Sequence, residues 1–207
     1  MKRVLRLIGD VHGHHQRYID IASEAEYSIA LGDIGFSYTL IEQSLDPDFH
    51  KIVAGNHDNY DIITSLPHYL GDFGIHLVPG IDPIFFIRGA WSIDQSMRSE
   101  GVSWWREEEL SYGQCRKALE RYEELKPKIV VSHECPLSVV EQMCKRKVLW
   151  SNGVIQTRTG QLLEQMIDAH SPECWMFGHY HNDLGFLHKE TKFRCLDELS
   201  YHDIPLE

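Results

Sequence analysis

Val4-Leu5-Arg6-Leu7-Ile8-Gly9-Asp10-Val11-His12-Gly13 opens the chain with a short apolar run that ends on a glycine, a carboxylate and then an imidazole. A run of this length, rich in Val, Leu and Ile, reads as a buried strand, and the carboxylate after it belongs to the loop beyond. The same grammar recurs along the chain. Residues 27–31 run into Gly32-Asp33, residues 51–54 into Gly55-Asn56-His57-Asp58, residues 128–132 into His133, and residues 174–177 into Gly178-His179-Tyr180-His181. Residues 84–88 add a strand, and residues 184–187 with 193–196 read as a closing hairpin. Helical patterns fall between, at 14–25, at 107–125 with a break near Gly113, at 136–148 and at 160–170. Alternating strands and helices predict an α/β fold. Ligands of open α/β sheets gather at the carboxyl ends of strands, so five such ends predict a cluster of Asp, Asn and His along one edge.

Bulk properties narrow the class. The 207 residues are 43% apolar and 25% charged, with a mean hydropathy of −0.32, which fits a globular domain with a sizeable core. We read residues 1–207 as a single domain without repeats or linkers. The first apolar stretch is too short for a signal-peptide core, and no run has membrane-spanning length, so a cytoplasmic protein without a membrane partner is expected. Five scattered cysteines, none in a Cys-x-x-Cys pair, suit buried thiols better than a zinc ribbon or a disulfide framework. A net charge of −11 and a pI near 5.6 lack the basic field of a protein that tracks long nucleic acid. Thirteen histidines exceed the roughly four expected at average frequency, and the surplus needs a role.

The strand-end donors are Asp10, His12, Asp33, Asn56, His133, His179 and His181. All offer nitrogen or oxygen and none sulfur, a set suited to manganese, iron, zinc or cobalt rather than a soft metal. Seven donors are too many for one tetrahedral zinc and fit two divalent ions about 3.5–4 Å apart with a shared carboxylate. Asp33, alone after its strand, is the natural bridge. Taken singly the motifs say little. Asp10 could be a helix cap, and a His-x-His spacing arises about once by chance with this many histidines. Gly55-Asn56-His57-Asp58 is more specific, with a chance occurrence of roughly one in a thousand.

The ordered set Gly-Asp-x-His-Gly, Gly-Asp, Gly-Asn-His-Asp, Ser-His, Gly-His-x-His, spanning residues 9–181, resembles the calcineurin-like metallophosphoesterases. The resemblance implies a four-layer fold in which two mixed β-sheets pack as a sandwich flanked by helices. It implies that Asp10, His12 and His181 hold one metal, Asn56, His133 and His179 a second, and Asp33 bridges them. Catalysis would fall to a metal-bridging hydroxide, with His57 over the phosphoryl group stabilising or protonating the leaving oxygen and Asp58 orienting His57 and raising its basicity. The metals expected are two divalent ions, manganese first, with iron, zinc, cobalt or nickel as alternatives.

Outside those motifs, residues 88–105 form the expected substrate rim. Arg98 could meet a phosphate oxygen, and Trp91, Trp104 or Trp105 could stack on a base. Against this stands a packed loop, with tryptophans on the core and Asp94 paired with an arginine. Residues 106–109 read as a solvated helix start and Lys145-Arg146-Lys147 as a solvated basic face. The family's protein phosphatases carry Asp-Arg-Gly after the bridging aspartate, whereas Asp33-Ile34-Gly35 stands here, which argues against that activity. The expected protein is thus a metal-dependent phosphoesterase, a phosphodiesterase acting on nucleotides, cyclic nucleotides or short nucleic-acid ends. The alternatives are a phosphomonoesterase on a nucleotide or small metabolite and, more remotely, a non-catalytic scaffold.

Overall fold

The computed structural model describes residues 1–146 and 154–207. Two sheets are formed. The first, of four strands, runs β10 (Tyr201–Pro205), β1 (Lys2–Ile8), β2 (Ala25–Ala30), β3 (His50–Ile52). The second, of six, runs β4 (Phe73–His76), β5 (Ile84–Ile87), β6 (Ile129–Ser132), β7 (Cys174–Phe177), β9 (Thr191–Cys195), β8 (Leu184–His188). Both are mixed: β1, β2 and β3 run parallel with β10 opposed, and β5, β6, β7 and β9 run parallel between antiparallel edges.

Side-chain alternation explains the layering. Leu5, Leu7, Ile29, Leu31, Ile84, Phe86, Val131 and Met176 point between the sheets and form one core. Their neighbours Phe85, Ile87, Val130, Trp175 and Phe177 point outward, under α4 (Tyr112–Leu125), α5 (Leu137–Lys145) and α6 (Arg158–Ala169). Ile8, Ala30 and Ile52 do the same on the first sheet, under α1 (His15–Ser23), α2 (Thr39–Ser44) and α3 (Tyr60–Ile63). Strands buried on both faces read as continuous apolar runs, which is why the central ones were visible in sequence. The four-layer sandwich expected from the resemblance is present.

Several expectations need correction. The edge strands β4 and β10 and the short helices α2 and α3 were not anticipated. The 107–125 pattern is not one broken helix. A 3₁₀ turn at Arg106–Glu108 comes first, and α4 begins only after Ser111, whose hydroxyl and Gln114 form a reciprocal capping box. Gly113 lies in the first turn of α4. The C-terminal hairpin does not close the fold, because β9 also pairs with β7 and the chain returns through β10 to β1. Helix α5 ends at Lys145, and Lys147 and Val148 lie outside the described residues.

Arg6, in the middle of β1, is 0% exposed. Its guanidinium donates to both oxygens of Asp203 on β10 at 2.7 and 2.8 Å, to Ile21 O at 2.9 Å and to Glu24 at 3.2 Å. That fork fastens β10 and α1 to the same strand. We expect Asp203→Ala to cost about 3 kcal/mol in urea denaturation at neutral pH, because it strands a buried charge. The hydrogen bonds from Arg6 hold the Asp203 carboxyl below its ordinary range. Their stabilisation is therefore full above the unfolded carboxylate value and lost as pH falls through the folded one. The gap between parent and variant should close in acid; a gap that widened would contradict the pairing.

Candidate metal centre

All five strand ends named from sequence meet at one edge of the sandwich. Asp10 follows β1, Asp33 follows β2, Asn56 follows β3, His133 follows β6 and His179 follows β7, so the donors come from both sheets. Asp10, His12 and His181 form one group whose ligand atoms lie within 4.8 Å of one another, and Asp33, His133 and His179 form a second. His181 Nε2 stands 3.0 Å from Asp10 Oδ2 and 2.9 Å from His12 Nε2. Asn56 Oδ1 joins the second group, 3.1 Å from His133 Nε2. Asp33 turns one oxygen to each group: Oδ1 is 3.2 Å from His133 Nε2, and Oδ2 is 3.7 Å from His12 Nε2.

The glycines of the motifs are explained by these approaches. A Cβ on Gly55 would collide with Asp33 Oδ1, and one on Gly178 with Asp10 Oδ1. Four donors, His12, Asp33, His179 and His181, also hold left-handed backbone with φ of 45°, 51°, 65° and 45°. Such conformations are costly for residues with a Cβ and cluster at functional sites.

Electrostatics match the chemistry of the donor set. Burial opposes ionisation of Asp10, but hydrogen bonds from His12 and His181 hold its carboxyl far below the ordinary range. Burial likewise opposes the charged forms of Asp33 and His133, yet their mutual attraction lowers the first and raises the second. His179 is pushed down to about 3 by burial and by the nearby His133. Without a metal, then, Asp33 and His133 form an ion pair whose proton a cation would displace. Five imidazole and amide donors and two anionic carboxylates, placed as two groups sharing Asp33, fit two divalent ions.

Two further residues depart from expectation. Asp58 does not touch the His57 ring. Its Oδ1 accepts from Ile34 N at 2.9 Å and its Oδ2 from Gly55 N at 2.8 Å, so it braces the loops that carry Asp33 and Asn56. Burial and the neighbouring Asp33 raise its carboxyl to about 7. His57 lies edge-on to His12, with ring centroids 5.3 Å apart, and its partner is Arg98. Arg98 Nη2 lies 2.8 Å from His57 Nδ1 and also contacts Nε2, while its Nε donates to Asp94 Oδ2 at 2.8 Å. A guanidinium only donates, so it meets a neutral ring. Burial lowers His57, and Arg98 adds to that, the opposite of the raised basicity expected from Asp58.

The rim divides. Trp91 lines the cavity beside the donors, while Trp104 lines a shallower depression with Arg98. Trp105 covers the core and donates to Asp61 at 2.9 Å. Residues 106–109 are not simply solvated. Glu108 is 3% exposed and accepts from Ser92 N and Oγ at 2.9 and 2.8 Å, and Ser92 Oγ in turn accepts from Asn56 Nδ2 at 3.0 Å. This chain fixes which face of Asn56 meets the site. Nothing in the sequence marks it, because Ser92 and Glu108 sit in different polar stretches.

No protein-family model and no curated protein matches the chain. Solved structures do. A phosphopantetheinyl hydrolase from Mycobacterium tuberculosis matches with a TM-score of 0.53 at 16% identity, over 94% of this chain and 89% of that one. A dimetal phosphatase from Danio rerio matches with a TM-score of 0.57 at 11% identity, over 98% and 92%. The fold is that of the metallophosphoesterases.

Two outcomes follow. Ser92→Ala should weaken binding of one of two metal ions by about tenfold in calorimetric titration, as loss of a supporting hydrogen bond does; unchanged affinity for both would remove Ser92 from that role. Metal uptake should release protons and weaken with falling pH, since imidazole must be neutral to ligate. Titrations of one metal between about pH 6 and 8 in buffers of different ionisation enthalpy measure this, and zero proton release would count against the site.

Proposed function

We propose that the protein is a dinuclear-metal phosphodiesterase acting on nucleotide-type or cyclic-nucleotide-type esters. The observation that carries this reading is the Asp33 carboxylate, which turns one oxygen to each of two donor groups. Two divalent ions there, manganese first on the donor types, would activate water at neutral pH and neutralise phosphoryl oxygens. Asp10, His12 and His181 would hold one, Asn56, His133 and His179 the other, with Asp33 shared. Asn56 is oriented by Ser92 and Glu108.

His57 faces the cavity beside His12, where its neutral ring would donate a hydrogen bond to a departing oxygen. Being held neutral, it would leave the positive charge at that end to Arg98, which Asp94 steers. A scaffold would not need the full donor set with His57.

No helix among the described residues is long and apolar enough to cross a membrane. Cys115, Cys135 and Cys195 are buried thiols, which fits the reducing cytoplasm.

The test is hydrolysis of matched aryl diesters and monoesters by metal-stripped protein given back Mn²⁺, Zn²⁺, Fe²⁺ or Mg²⁺. We expect diester turnover with at least one metal, and kcat lower by about 10²–10⁴ in His57→Ala. No turnover with any metal would sink the enzyme reading; faster monoester cleavage would sink the diester one.

A further inference from the structure

The cavity beside the donors has a volume of about 510 Å³, within the range of small-molecule pockets. The metal donors line part of it, and much of the rest is Trp91, Ile93, Val140, Ile155 and Tyr180. These five come from the segment after β5, from α5, from the approach to α6 and from the loop after β7. Two of them are fixed by the core. Val140 is 7% exposed, and the Tyr180 ring packs edge-on to the donor His179 and to Phe177, with centroids 4.8 and 6.1 Å away. Ile93 and Ile155 are instead 76% and 46% exposed. Single exposed apolar side chains are ordinary on a protein surface. Here both line the same concavity as the fixed apolar residues, so together they leave one apolar wall in water beside the metal donors.

The polar groups set in that wall are already engaged. Glu134 Oε1 accepts from Thr157 Oγ1 at 2.7 Å, and its other oxygen is buried. Asp94 Oδ2 accepts from Arg98 Nε at 2.8 Å, and the Tyr180 hydroxyl is hydrogen-bonded to Cys135. The described lining residues include no lysine or arginine. A strongly polar or charged group entering here would lose its water and gain no partner, which is costly. A hydrocarbon group would instead cover apolar surface, which is favourable in proportion to the area removed from water.

We propose that this cavity receives the organic arm of the ester and selects arms that are uncharged and apolar, aryl or alkyl, with Trp91, Ile93, Val140 and Ile155 as the specificity-determining residues. Delivery of the arm there rests on the phosphodiesterase reading; the recognition itself does not. The flat face of a base or a hydrocarbon chain fits this wall. A second phosphate, a carboxylate or a sugar hydroxyl cluster does not.

Two phosphate-free probes of like shape test the recognition apart from hydrolysis: 4-isobutylbenzyl alcohol and 4-(carbamoylmethyl)benzyl alcohol, titrated calorimetrically into the full chain loaded with metal. The isobutyl probe should bind about tenfold more tightly, since it brings apolar surface where the other brings an unpartnered amide. The double variant Ile93→Ser with Ile155→Ser removes apolar wall at two exposed positions and should narrow that gap by about threefold or more. Equal binding or a preference for the amide, no binding of the isobutyl probe up to its solubility limit, or a gap unchanged in the variant would each overturn the proposal. Should the double variant not fold, Ile93→Ser alone decides by the same criterion. Delivery of the arm is read from hydrolysis: kcat/KM for 4-isobutylbenzyl 4-nitrophenyl phosphate should exceed that for methyl 4-nitrophenyl phosphate by about tenfold, and equal values would overturn it. A flat probe ranking beside active diester hydrolysis rejects only the selectivity; the expected ranking in a chain that hydrolyses nothing rejects only the phosphodiesterase reading.

Discussion

Asp33 and His133 meet at 3.2 Å across the gap between the two sheets, and the rest of the site is arranged around that contact. Asp33 leaves the four-stranded sheet and His133 the six-stranded one. Asp10 repeats the link, accepting from His179 N at 2.9 Å and facing His181 across the same gap. Neither sheet carries a complete donor group alone. The apolar interior between them, with Leu7, Leu31, Val131 and Met176 near its middle, therefore sets how far apart the two halves of the site stand. Packing inside the sandwich and geometry at its edge are one problem, because close-packed interiors transmit displacements rather than absorb them.

Much of this was legible in the chain. The strands β1, β2, β5, β6 and β7 are buried on both faces, so their apolar runs stand out, and donors follow all of them but β5 at once. Edge strands β4 and β10 escaped because half-exposed strands tolerate polar residues: Phe73-Gly74-Ile75-His76 and Tyr201-His202-Asp203-Ile204-Pro205 carry no such run. The seven donors share a motif grammar. Their supports do not. Asp58 was assigned to its neighbour His57, yet the turn of the chain sends its carboxylate to backbone N–H groups of another loop. Arg98 and Glu108 act through partners 41 and 16 residues away, separations that leave no periodic trace.

The Asp94–Arg98–His57 series also changes how the His57 end of the site is charged. A histidine paired with a carboxylate is a base; one facing a guanidinium is held neutral. Positive charge then sits on the guanidinium beside the ring. Arg98 lies on the same segment, residues 88–105, as Trp91, so one segment supplies both the group beside His57 and a wall of the cavity.

The left-handed backbone at His12, Asp33, His179 and His181 has a consequence for how this protein can change over time. At most positions the residue that serves function also suits the fold, or is neutral to it. Here the two demands are opposed. Glycine would relax each of these four turns, yet it would delete a donor. Drift toward stability and drift toward inactivity therefore run in the same direction at the four positions. A chain with no need of these donors would gain stability by losing these residues first.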